Sequence, residues 1–161
     1  MMELLFPGLS ALQNIHPMLV HFPIAFFVGA LAMEGLAVFR DEKFHLVSTW
    51  MLYLGALAAI VTFFSGFNAA AAVAEMDPRG HKAPGHEFIH IHRNWMAATT
   101  LWSILLSGYL FWINKKQLWP SQRWGFLIGL MVLAALVSLG ADRGGRLVFE
   151  FGVGVKPGIL K

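Results

Sequence analysis

The side chains best suited to chemistry in this sequence are its histidines, and they are bunched. His16 and His21 open the first apolar stretch, His81, His86, His90 and His92 crowd the approach to the third, and His45 stands apart. Imidazole changes charge near neutral pH and suits zinc, copper and haem iron. The chain has no cysteine, which excludes iron–sulfur clusters, CxxC redox chemistry, thiolate zinc and covalent haem c. A metal or haem would therefore rest on imidazoles, with Met18 or Met96 as a possible sulfur donor.

The segment His86-Glu87-Phe88-Ile89-His90 fits H-E-x-x-H, in which two imidazoles on one helix face bind zinc and the glutamate acts as base. No third ligand is marked, so zinc or copper on His86 and His90 is the lesser reading, beside that of a solvated polar loop. His21 lies about 6 Å into its helix. Its face continues through Ala25, Val28, Ala32 and Gly35, small enough for a helix or a flat cofactor to approach. Pro17 and Pro23 bracket it, and a carbonyl freed by Pro23 is a competing partner for its ring. His90 and His92 are about 200° apart on a helix. Only the His92 face carries Thr99, Ser103 and Ser107, which favours His92 as the inward one. Glu34 lies about 140° from the His21 face and is expected to reach the interface beside Arg40, with a proton-relay role as the lesser reading.

These residues need elements to hold them, and composition says which. The 161 residues are 57% hydrophobic and 13% charged, with mean hydropathy +0.62, against about a quarter charged in a soluble domain. That excludes a cytosolic globule, a disordered chain and a disulfide scaffold. Net charge is +3, but 12 Lys+Arg form no basic stripe, so no nucleic-acid partner is expected. Four apolar stretches can each cross roughly 30 Å of hydrocarbon: about 17–39, 47–74, 95–113 and 124–141. Charges, Pro or Gly bound each of them. The expectation is an all-α polytopic membrane four-helix bundle, a single domain over 1–161 with a short tail from Arg146, in contact with lipid. Met1-Met2-Glu3 lacks the basic start of a cleavable signal, so the first segment is expected to be retained. Arg40, Lys43, Lys115, Lys116 and Arg123 lie in short loops, which favours both termini outside. Gly55, Ala59, Thr62 and Gly66, and Gly125 with Gly129, read as packing seams. Trp95, Trp112, Trp119 and Trp124 read as an interfacial aromatic belt.

Paired histidines from facing helices, with small residues beside them, are what a bis-imidazole haem b requires. The opening Asn14-Ile15-His16-Pro17-Met18-Leu19-Val20-His21-Phe22-Pro23-Ile24-Ala25 closely resembles the signature "HPxxVHFPIA" of a bacterial membrane-protein family, the domain of unknown function number 2231. The tail Gly144-Gly145-Arg146-Leu147-Val148-Phe149-Glu150-Phe151-Gly152-Val153-Gly154-Val155 resembles its closing "GGxLVYxxGVGV". Ser65-Gly66-Phe67 and His92-Arg93-Asn94-Trp95 resemble its internal motifs. The resemblance implies a four-helix membrane domain whose relatives occur fused to c-type cytochrome or Rieske modules, hence a redox role. It carries over to His16, His21 and His92. Relatives often have histidine where this chain has Asp142 and Phe151, which implies one haem rather than two.

The expectation is thus a cytochrome-b-like electron carrier or subunit, not a stand-alone enzyme, in the bacterial inner membrane with periplasmic termini. His21 and His92 are the preferred axial pair, with His16 and His90 as alternates. Expected partners are a quinol or an exported c-type cytochrome or Rieske protein, within a homo-oligomer or larger complex. The alternatives are a cofactor-free assembly subunit and a metal-binding or transport protein using residues 81–92.

Overall fold

The structure, a computed structural model, describes residues 14–76, 85–113 and 120–153. Among the described residues five helices follow in order: α1 His16–Leu19, α2 His21–Phe39, α3 Phe44–Met76, α4 His86–Ile113 and α5 Pro120–Phe149. No strand occurs among the described residues. Four spans, with α1 and α2 counting as one, are long and apolar enough to cross a membrane. The protein is a polytopic all-α membrane bundle.

Pro23 explains the join between α1 and α2. Lacking an N–H, it leaves the Leu19 carbonyl without its helical donor. Thr62 of α3 fills the gap, its hydroxyl donating to that carbonyl over 3.3 Å. Val20 itself stays in the right-handed helical region (φ −61, ψ −23), so the chain turns little there.

The substantial helix pairs are α2 with α3, α3 with α4, α4 with α5, and α5 back to α2, while α1 rests on α3. This ring leaves α1 and α2 diagonal to α4, and α3 diagonal to α5. Along α2 the buried positions are Pro23, Phe27, Ala30, Glu34 and Ala37, the alternating four- and three-residue spacing of one inward helix face. The buried apolar core joins Phe27, Leu52, Leu106, Phe126, Leu130 and Leu133. Outward positions such as Trp50, Leu57, Phe64, Leu105 and Ile128 are exposed apolar groups, suited to lipid.

Helix limits differ from the expected ones in two places that matter. The third span begins at His86 rather than near Trp95, so His86, His90 and His92 stand on a helix and not in a loop. The fourth does not stop at Asp142-Arg143-Gly144-Gly145 but runs on to Phe149. Local contacts sustain both extensions. Arg143 donates to the Leu139 carbonyl (2.7 Å) and lies over the Trp95 ring, and Arg146 pairs with Glu150 and covers the Phe88 ring. A 30-residue helix is about 45 Å long, some 15 Å more than the hydrocarbon, so charged turns can follow the apolar span without ending it. His81, Trp119 and the chain after Val153 lie outside the described residues.

Candidate functional site

The end of the bundle where α1 and α4 begin carries the histidine pair. His16 starts α1, its backbone N–H held by the Asn14 side chain at 3.1 Å. Pro17 follows at a position that needs no donor. The His16 ring reaches α3, where Nδ1 lies 2.8 Å from Ser65 Oγ. That hydroxyl gives its own proton to the Thr62 carbonyl (2.7 Å), so toward His16 it can only accept. His16 therefore carries its proton on Nδ1 and presents a lone pair on Nε2. Gly66 makes room: a Cβ there would sit 3.2 Å from the ring's Cε1.

His92 repeats the arrangement on the other side. Its Nδ1 donates to the Gly140 carbonyl of α5 at 2.9 Å, an oxygen that can only accept. Its Nε2 also presents a lone pair. Gly144 is the cradle, since a Cβ there would approach Cε1 to 2.9 Å. At Gly140 a Cβ would collide with the Met96 methyl. No side-chain hydrogen bond holds either Nε2 among the described residues, and the His16 ring also lies within reach of the Thr62 carbonyl. The two rings lie close enough that charge on His92 acts on His16. They come from diagonal helices, His16 backed by Gly66 of α3 and His92 by Gly144 of α5.

The expected pairing changes accordingly: the structure brings His92 together with His16. His21 is exposed, and its Nδ1 takes the Met18 carbonyl at 3.3 Å. The carbonyl that Pro23 frees, that of Leu19, goes to Thr62 instead of His21. His90 is also exposed and turned to His86, with Nε2 atoms 3.2 Å apart. His92 is on the inward face, with Thr99 and Ser103 buried further along it. The small stripe of α3 divides: Gly55 receives the Phe27 ring (2.6 Å to a Cβ), whereas Gly66 receives His16. Gly129 accepts Leu106, as a packing seam should, while Gly125 meets nothing.

Glu34 departs most from expectation. It does not reach the interface beside Arg40 but is fully buried (0% exposed), with Oε2 2.7 Å from His45 Nδ1. The spacing Phe27, Ala30, Glu34, Ala37 was the signal that places it inward. His45 offered no such signal, because its role depends on where the chain re-enters α3.

Four long apolar helices packed in a ring define a four-helix integral membrane protein. The chain belongs to the family described as "Predicted membrane protein (DUF2231)", whose profile matches residues 12–157. No curated protein matches it, and no solved structure does.

Proposed function

We propose that this protein is a cytochrome-b-like electron carrier, or the electron-carrying subunit of a membrane redox complex, with one haem b ligated by His16 and His92. The observation that carries the reading is the pair of Nε2 atoms at one end of the bundle that no side-chain hydrogen bond holds among the described residues, on diagonal helices, with both Nδ1 protons committed to backbone-anchored acceptors. Axial imidazoles of haem have this form: one nitrogen is fixed by an outer hydrogen bond, and the other is left as donor to iron. Among the described residues, the main apolar core cluster stops near Ala59 and Val137. Beyond it the buried positions are Thr62, Thr99, Gly140 and Leu147, with the Met96 methyl against Gly140.

Bound haem would supply one-electron transfer. Ser65 and the Gly140 carbonyl would hold the two imidazoles in a fixed tautomer and orientation, and Gly66 and Gly144 would keep the rings from being pushed away. Electrons would be exchanged with a quinol in the bilayer or with an exported c-type cytochrome or Rieske protein. The membrane would be the bacterial inner membrane, with the histidine-pair end and both termini on the periplasmic side.

The test is the reduced-minus-oxidised absorption spectrum of the full chain purified from cells supplied with haem. A Soret band with a split α-band on reduction is expected. A colourless, metal-free protein that co-purifies with a larger complex would instead establish the assembly-subunit alternative.

A further inference from the structure

We propose that Glu34 and His45 form a proton-exchange site at the end of the bundle opposite His16 and His92, about 27 Å along α2. It stands without the haem reading, because it uses none of the same residues.

A carboxyl group fully removed from solvent inside a membrane span is costly and seldom incidental. Among the described residues Glu34 has a single partner, His45 Nδ1 at 2.7 Å on Oε2, and its buried Oε1 has none. A carboxylate kept only for architecture would have both oxygens satisfied. Two neighbouring side-chain donors bond backbone carbonyls rather than Glu34. The buried Ser48 hydroxyl gives its proton to the Ala30 carbonyl at 2.8 Å. Arg123 of α5 donates through Nη2 to the Ala37 carbonyl (3.3 Å), its Nη1 lies 3.7 Å from Glu42 Oε1, and its buried Nε has no hydrogen-bond partner among the described residues.

The other titratable groups leave the pair alone in the interior. In the α2–α3 connection, Lys43 pairs with the exposed Asp41 at 2.9 Å, and Arg40 is exposed. On α3 the next titratable side chain is Tyr53, two turns on. After Arg93, α4 carries only Tyr109, and α5 carries nothing between Arg123 and Asp142. The His45 ring is wedged edge-on against Phe126 (5.7 Å) yet keeps 19% side-chain exposure. It is therefore the link between water and the buried carboxyl.

The step balances on one proton and no electrons. A proton from water bonds to His45 Nε2, the Nδ1–H bond breaks, and that proton passes along the 2.7 Å hydrogen bond to Glu34 Oε2. The imidazole ends neutral with its proton on Nε2, and Glu34 ends as a carboxylic acid. Reversal returns the proton to the same face.

Infrared pH-difference spectra of the full chain in liposomes test this. One protonated-carboxyl C=O band should appear on acidification, shift in D2O, and vanish in Glu34→Gln. In Glu34→Asp it should move but persist, which covers the case in which the amide variant fails to fold. His45→Gln, which removes the 2.7 Å partner, should displace the band's frequency. A wild type without such a band, or a band indifferent to both Glu34 variants or to His45→Gln, overturns the proposal.

Discussion

Substituting the cradle glycine gives the sharpest mechanical test of the His92 arm. In Gly144→Ala the new methyl would sit 2.9 Å from His92 Cε1, closer than side-chain carbons approach. The ring must move, and its 2.9 Å bond to the Gly140 carbonyl goes with it. Overpacking costs about 1–3 kcal/mol and the lost hydrogen bond about 1. Against this, alanine in place of glycine inside a helix returns about 1 kcal/mol. The net expectation is a destabilisation of about 1–3 kcal/mol, by combining those contributions. The neighbouring Gly145→Ala supplies the control, since a Cβ there meets only Phe149 Cδ2 at 3.9 Å. It carries the same propensity gain without the clash and should stabilise by up to about 1 kcal/mol. Reversible unfolding in mixed detergent micelles, followed by tryptophan fluorescence, should separate the two variants by about 2–4 kcal/mol. Equal stability of Gly144→Ala and Gly145→Ala would refute the claim that α5 is shaped around the His92 ring.

Other expectations follow from single contacts. Trp102→Phe removes the 2.9 Å bond from the indole N–H to the Gly129 carbonyl and should cost about 1 kcal/mol in the same unfolding assay. The half-buried His86 and exposed His90, with Nε2 atoms 3.2 Å apart, have the bite of a two-point chelate for a divalent ion. Nickel titration by calorimetry should give weak binding that either single alanine variant abolishes, while the haem spectrum is left intact. At the end of α5, the hydrogen-bonded Arg146 guanidinium holds the Glu150 carboxyl below the usual carboxylate range. The lowered value means that the ion pair is complete above that range and is lost as pH falls through it. A carbon-13 NMR titration should show Glu150 protonating at lower pH than it does in Arg146→Gln.

Much of the architecture could be read from the chain. Four long apolar runs, each bounded by charges, admit few arrangements other than a membrane bundle, and the end motifs pointed to the right family. Helix limits were less legible. Charged residues mark where hydrocarbon ends, not where the helix does, and Arg143 and Arg146 sustain α5 past its apolar span. The site was half legible. His92 stood out through the Thr99 and Ser103 face, but His21 was favoured over His16 on periodicity. Periodicity cannot register that the His21 ring turns back to the Met18 carbonyl, or that Ser65 captures His16 from another helix. Glu34 was readable from its heptad-like neighbours. Its partner His45 became visible only once α2 and α3 were packed.

Replacement of each histidine by glycine, followed by addition of free imidazole, bears most directly on the ligand pair. His16→Gly and His92→Gly should each lose the six-coordinate absorption bands of the haem-loaded protein and regain them with exogenous imidazole, whereas His21→Gly should behave as wild type. Loss and rescue at His21, with His16→Gly spectrally unchanged, would contradict the pair.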